Sequence, residues 1–239
     1  MASVGFILAV WKLLSILLGT EFVLPSPEKT LITTLGLFGE KEFLAVVGAT
    51  ILRSLVGFAI SIVLGIGLGV LAGTRLRFNA FLQPILITIR SIPVIALILL
   101  ALIWFNPGAV PVFIAILTMF PFICINVIDG IKSMDGDLTQ MAAFYRVGRT
   151  RIIRELYIPG IMPFIISGAS SAMGIGWRAI ITGEVLSQPR FGIGTLMQGA
   201  QTFLNVDAVI AWTILAVVIS FAFERAIRWG EHHLTAWKF

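Results

Sequence analysis

Apolar residues in this chain run in long blocks rather than in the stripes of a soluble helix or the alternation of a half-exposed strand. The blocks fall at about 4–18, 46–73, 84–105, 110–128, 161–186 and 208–227, and polar residues collect between them. A helix needs about 20 mostly apolar residues to cross ~30 Å of hydrocarbon. The pattern therefore predicts an all-α integral membrane protein with about six transmembrane helices. The connection at 21–44 carries Glu21, Pro25, Pro27, Glu28, Glu40, Lys41 and Glu42 and predicts one short helix at the interface. Residues 188–205, with Pro189, Gly192, Gly194 and Gly199, are too polar to span and predict a turn and another short interfacial helix. The first block lacks the charge order and cleavage site of a secretory signal and is expected to be a retained helix.

Two blocks carry a finer period. Gly57, Ser61, Gly65, Gly69 and Gly73 recur every fourth residue, as do Gly168, Ala172 and Gly176. Small residues in such a stripe let helix backbones approach closely where lipid removes the hydrophobic drive for association.

The most polar stretch, 135–159, predicts two short amphipathic helices. Asp137 is placed to cap the first, with Gln140 completing a capping box, and Leu138, Met141, Ala142 and Tyr145 share one face. Gly148 is expected to end it. From Arg149 a second helix sets Ile152, Ile153, Leu156 and Tyr157 against Arg149, Arg151 and Arg154, until Pro159 stops it. A basic helix pair between apolar spans is a docking surface for another protein; the competing reading lays it along anionic lipid.

Composition narrows the class further. Of 239 residues, 58% are hydrophobic and 12% charged, and the mean hydropathy is +1.02. That is too little polar surface to cover a soluble globule of this size, and residues 1–239 read as a single transmembrane domain. Cys124 is alone, so neither a disulfide framework nor a thiolate metal site is expected. His232 and His233 are adjacent rather than on one helical face, which argues against a metal site. No Gly-x-x-x-x-Gly-Lys-Ser/Thr stretch is present, so ATP is not expected on this chain. In a membrane protein a net charge of +5 reports topology before it reports partners, and no nucleic-acid partner is expected. Arg75, Arg77, Arg90, Lys132, Arg146, Arg149, Arg151, Arg154, Arg225, Arg228 and Lys238 fall on one side of a six-span topology, against Lys29, Lys41, Arg190 and Arg53 on the other. The basic side is expected to be cytoplasmic, with both termini there. Trp104, Trp212, Trp229 and Trp237 lie near predicted span ends, where aromatic belts anchor helices.

Ionisable residues within spans are costly and mark a pathway or a pair. Arg178 and Glu184 stand out, followed by Arg90, Glu224 and Lys12. Six residues separate Arg178 from Glu184, about 9 Å along a helix and on different faces, so each needs another partner. In one reading Arg178 lines a path and Glu184 shapes its outer end. In the other, charges pair between helices, for example Arg90 or Arg178 with Glu224.

Several segments together carry a family resemblance over about residues 24–230. They are the glycine-seamed span, Arg90-Ser91-Ile92-Pro93-Val94, the loop closed by Pro159, Gly174-Ile175-Gly176-Trp177-Arg178 and Gly183-Glu184-Val185. This order resembles the permease subunits of binding-protein-dependent ABC importers, and within them the nitrate, sulfonate, taurine and bicarbonate branch. The resemblance implies a type I ABC importer permease fold, in which stretch 135–159 is the coupling element seated on an ATP-binding subunit. Gln140, Met141, Ala142, Ala143, Tyr145, Arg146, Gly148, Arg149 and Pro159 are then the ATPase-coupling positions. Gln140 stands where that family usually has glutamate, Met141 where it has alanine and Arg146 where glycine is common, which implies a dedicated partner. The path-lining candidates are Arg178, Trp177, Glu184, Ser171 and Arg90, with Ser167 beside them.

The resemblance further implies a non-enzymatic subunit in a bacterial inner membrane. It would work with a second copy of itself, two cytosolic ATP-binding subunits that hold ATP and Mg, and an extracytoplasmic solute-binding protein. The cargo expected is a small anion or small organic molecule. The alternative is an ion-coupled secondary transporter, which would show inverted repeats and acidic ion sites; neither is apparent.

Overall fold

The structure is a computed structural model that describes residues 2–20 and 23–234. The expectations for Glu21, Trp237 and Lys238, and for the side chains of Ala143, Arg149, His232 and His233, lie outside the described residues. Among the described residues the secondary structure is helical throughout. The elements are α1 (Ala2–Leu18), α2 (Pro27–Leu37), α3 (Phe43–Thr74), α4 (Leu76–Ser91), α5 (Val94–Trp104), α6 (Val110–Lys132), α7 (Gly136–Phe144), α8 (Arg149–Ile152), a π turn (Ile153–Tyr157), α9 (Ile158–Ser187), α10 (Ile193–Thr202) and α11 (Val206–Leu234).

Among the described residues four helices are long and apolar enough to cross a membrane: Phe43–Thr74, Val110–Lys132, Thr150–Ser187 and Val206–Gly230. A further crossing is broken, with α4 and α5 meeting at 97°. The 17 residues of α1 reach about 25 Å, somewhat less than the hydrocarbon core. The third block, expected as one continuous span, breaks because Pro93 offers no N–H and disfavours helical backbone at the residue before it. Ile92 accordingly sits at φ −72°, ψ 129°.

The hub is α6, and glycine places its neighbours. A Cβ on Gly57, Gly65, Gly69 or Gly73 would come within 2.7 Å of Ala115, Ile123, Val127 or Ile131 respectively. Both numbers rise together, so α3 runs parallel to α6 along the predicted small-residue seam. On its other flank α6 meets α9 in the antiparallel sense: Gly168 lies under Asn126, Gly176 under Met119 and Gly183 against Pro111. Met119 occupies the space a side chain at 176 would need. Such backbone proximity is how apolar helices gain contact energy without a hydrophobic drive. Cys124 is a buried residue of this centre.

The two ends of the bundle differ. At one, α3 ends at Thr74 before Arg75 and Arg77, and the polar stretch joins α6 to α9. At the other lie the two short helices expected from the polar connections. Ser26 caps α2 by accepting the Lys29 N–H at 3.3 Å, and Lys29 pairs with Asp207 of α11 at 2.8 Å. Glu28 accepts from Lys12 of α1 at 2.8 Å, and that hydrogen bond holds the Glu28 carboxyl below the usual carboxylate range. Trp212, expected as an interfacial anchor, instead packs in the core of this end with Phe43, Trp177, Ile193 and Leu215. Nearly two turns into α11, its ring faces inward onto Phe43 of α3, 6.2 Å between centroids.

Candidate translocation groove and coupling segment

Between α9 and α11 runs a groove in which a row of polar side chains is set among apolar ones, although both helices are spans. Ser171, Gly174, Arg178 and Thr182 follow at three- and four-residue steps on α9, facing Thr213, Ser220, Glu224 and Arg228 on α11. Two cavities of about 340 and 540 Å³ share Arg178, Ser220 and Glu224. Thr182 and Thr213 donate back to carbonyls of their own helices, at 2.9 and 2.7 Å. The Arg178 Nε donates to the Gly174 carbonyl at 3.2 Å. Glu224 accepts from Arg228, one turn along α11, at 2.6 Å. Glu224 thus pairs within its own helix rather than with Arg178 or Arg90 as suggested.

The path candidates separate. Ser171 and Arg178 stand on the groove wall. Trp177 lines the larger cavity but is only 2% exposed, its indole N–H donating to the Ala216 carbonyl at 3.0 Å. Its ring meets Phe223 edge-on at 5.4 Å, tying α9 to α11. Arg90 is not among the groove residues and sits over the Phe122 ring of α6 at 4.5 Å. Glu184 is 0% exposed and points away from the groove toward α3 and α10. Arg53 Nη1 donates to it at 2.6 Å, Thr50 Oγ1 lies 3.0 Å from both carboxylate oxygens, and Gly194 N–H donates at 3.0 Å. Arg53 also donates to the Phe191 carbonyl at 2.7 Å, and Ile193 N–H donates to Thr50 Oγ1 at 2.9 Å. Glycine is required here: a Cβ on Gly192 would stand 2.6 Å from the Glu184 Cδ. The sequence reading missed Thr50 and placed Arg53 only at an edge. Their three-residue spacing on one helix face was the available signal.

The stretch 135–159 departs from expectation at its junctions. The residue before α7 is Asp135, whose carboxylate accepts the Asp137 N–H at 2.8 Å, so the cap lies two residues earlier than proposed. Gly136 permits the helix to begin there, leaving Asp137 in its first turn. Gly148 does not end α7. The left-handed residue is Arg146, φ 53°, and Val147 N–H closes the turn on the Ala142 carbonyl at 2.9 Å. This is the Schellman arrangement, which usually has glycine at that position. Gly148 instead begins α8, its carbonyl accepting from Arg151 and Ile152. Nor does Pro159 stop the helix, which continues from Thr150 to Ser187. Lacking an N–H, Pro159 cannot complete the α-helical bond, and the chain widens into the π turn just before it.

The face predicted for docking is open. Leu138, Met141 and Tyr145 of that face are exposed, Tyr145 at 71%; Phe144, which the sequence did not single out, is 84% exposed beside it, and the two rings meet edge-on at 5.6 Å. Gln140 is exposed, and Ala142 is half-buried beneath this face.

An all-helical chain with several membrane crossings, a polar groove along two of them and a protruding helix pair at one end belongs to the class of membrane permeases. Residues 61–235 match the family described as binding-protein-dependent transport system inner membrane component, and the chain belongs to that family. It is 26% identical to the taurine transport system permease protein TauC of Escherichia coli, over 95% of this chain and 84% of that one. A protein of the same organism described as an aliphatic sulfonates transport permease, SsuC, is 33% identical over 89% of this chain and 81% of its own length. The fold matches the inward-facing MetNI methionine ABC transporter with a TM-score of 0.62 at 17% identity, over 77% of this chain and 94% of that one. The chain is thus a multi-pass inner-membrane permease subunit of an ABC importer, in the nitrate, sulfonate, taurine and bicarbonate branch, with the type I importer fold.

Proposed function

We propose that two copies of this chain enclose a pathway along their α9–α11 grooves, with Arg178 facing a small anionic or acid-headed solute such as a sulfonate. The observation that carries this reading is the row of polar and charged side chains, Ser171, Arg178, Ser220 and Glu224, in a groove between two spans. A guanidinium exposed to acyl chains costs several kcal/mol, so Arg178 belongs against water, cargo or a second copy. Taurine and sulfonates in the names of similar permeases support the cargo class. The solute arrives from an external binding protein, and the basic end of the bundle faces the cytoplasm with both chain termini.

This chain supplies no catalysis in this reading. Two ATP-binding subunits hold ATP and Mg, and α7 and α8 sit in their clefts. Two short helices broken at residues 145–148, rather than one continuous amphipathic helix, support a protein cleft over a lipid surface. A rigid protruding helix pair then transmits the partner's rotation to α9.

Arg178→Ala is expected to lower uptake at least tenfold in reconstituted vesicles while leaving assembly with the ATP-binding subunit intact; unchanged uptake would overturn the pathway assignment. Phe144→Asp is expected to abolish co-purification with that subunit, and an intact complex would overturn the docking assignment.

A further inference from the structure

The cluster of Thr50, Arg53 and Glu184 lies behind the groove and holds the start of α10. Helix α10 crosses the groove's outer end. Its Met197 lines the cavity with Arg178, Thr182 and Thr213, and Leu196 and Met197 pack on the core of Trp177, Trp212 and Leu215. The two ends of α10 are held differently. At its start, Gly194 N–H is held by Glu184 and Ile193 N–H by Thr50, with Arg53 bridging Glu184 and the Phe191 carbonyl. At its finish only Phe203, Leu204 and Asn205 separate it from α11. Both apolar side chains there are exposed, and Leu204 stands at φ 54°. If the groove opens by parting α9 from α11, one attachment must yield. A buried ion pair with its hydrogen bonds satisfied is the costlier to break, since each freed group would stay buried and unpaired.

We propose that Thr50, Arg53 and Glu184 form a latch that fixes α10 to α3 and α9, so that α10 closes the outer end of the groove and bending occurs at 203–205. The three are positioning residues for transport and do not touch cargo. Glu184 ties the amides of α10 to its own helix, Thr50 relays a second amide to the same carboxylate, and Arg53 supplies the countercharge.

The inference rests on the groove being the pathway, and its test is separable from that reading. Met197→Cys in a Cys124→Ala background gives a single thiol in the groove wall, labelled from outside in sealed vesicles by a membrane-impermeant maleimide. Adding Thr50→Val removes the hydroxyl but keeps the shape. It is expected to speed labelling by at least about tenfold, the scale of a lost hydrogen bond to a charged group, and to reduce maximal uptake more than the apparent affinity for the binding protein. Thr50→Ser, which keeps the hydroxyl, is expected to match the parent in both. Glu184→Gln serves as the second variant if Thr50→Val does not assemble, with the same faster labelling expected. Parental labelling rates in both variants, or a Thr50→Ser protein that labels as fast as Thr50→Val, would overturn the latch. Failure of the pathway itself would appear instead as full uptake by Arg178→Ala with the labelling results unchanged.

Discussion

Arg146 holds a left-handed backbone that costs an L-residue other than glycine roughly 1 kcal/mol. It does so because α7 must stop and return its chain within two residues, which the Val147 to Ala142 hydrogen bond enforces. Replacing it with glycine relieves the strain and adds entropy to the unfolded chain, two effects of opposite sign. Arg146→Val adds a β-branched clash with neither benefit. The expected order of thermal stability for the solubilised protein is therefore glycine equal to or above arginine, with valine about 1 kcal/mol below it; valine matching arginine would refute the strain. Glu184 is the opposite case, a residue held by its partners. Glu184→Ala leaves the Gly194 amide without its acceptor and Arg53 without its countercharge, holding only the Phe191 carbonyl, and is expected to cost about 3–5 kcal/mol. Removing both charges, as in Arg53→Met with Glu184→Leu, is expected to cost less than the single change, a comparison that chemical denaturation in detergent can make.

At the scale of elements, the seams were readable and the breaks were not. A four-residue repeat of small residues can serve little but close packing, and Gly57, Gly65, Gly69 and Gly73 all meet α6. The groove was half visible: Ser171 and Arg178 stood out on α9, but Thr213 and Ser220 on α11 are ordinary residues until a facing helix is known. The latch joins Arg53 to Glu184 across 131 residues, a distance no local pattern spans. Prolines misled in both directions, since Pro93 breaks a span and Pro159 does not. Their difference lies in what surrounds the missing hydrogen bond. At Pro159 the chain adds one residue to a turn, and one residue is worth about 100° of rotation about a helix axis. Pro159→Ala restores an N–H and is expected to return the π turn to α-helix, rotating α7 and α8 relative to α9. ATP hydrolysis by the assembled transporter is then expected to lose its stimulation by the loaded binding protein while the complex still forms. Stimulation at the parental level would show that the π turn does not set the angle of the coupling segment.

For the molecule as a whole, the groove is the surface that a single chain leaves unfinished. Arg178, Ser171, Ser220 and Glu224 are set in spans and face a groove that, among the described residues, only α9, α11 and Met197 of α10 border. Lipid is a poor cover, because polar groups lose their water there without gaining partners. A second copy related by twofold symmetry would bring an identical groove opposite the first and enclose water and cargo between them. The same copy would also present two coupling segments, one for each ATP-binding subunit. The lone native thiol makes this testable, since Cys124 is buried and can be replaced by alanine. With Ser171→Cys as the remaining thiol, a short bifunctional maleimide is expected to join two chains in membranes, and cargo delivered by the binding protein is expected to slow the reaction. A cysteine at Leu44, exposed on α3 and remote from the groove, is expected to remain uncrosslinked. Crosslinking at 44 but not at 171 would place the second copy on the α3 face and the pathway elsewhere.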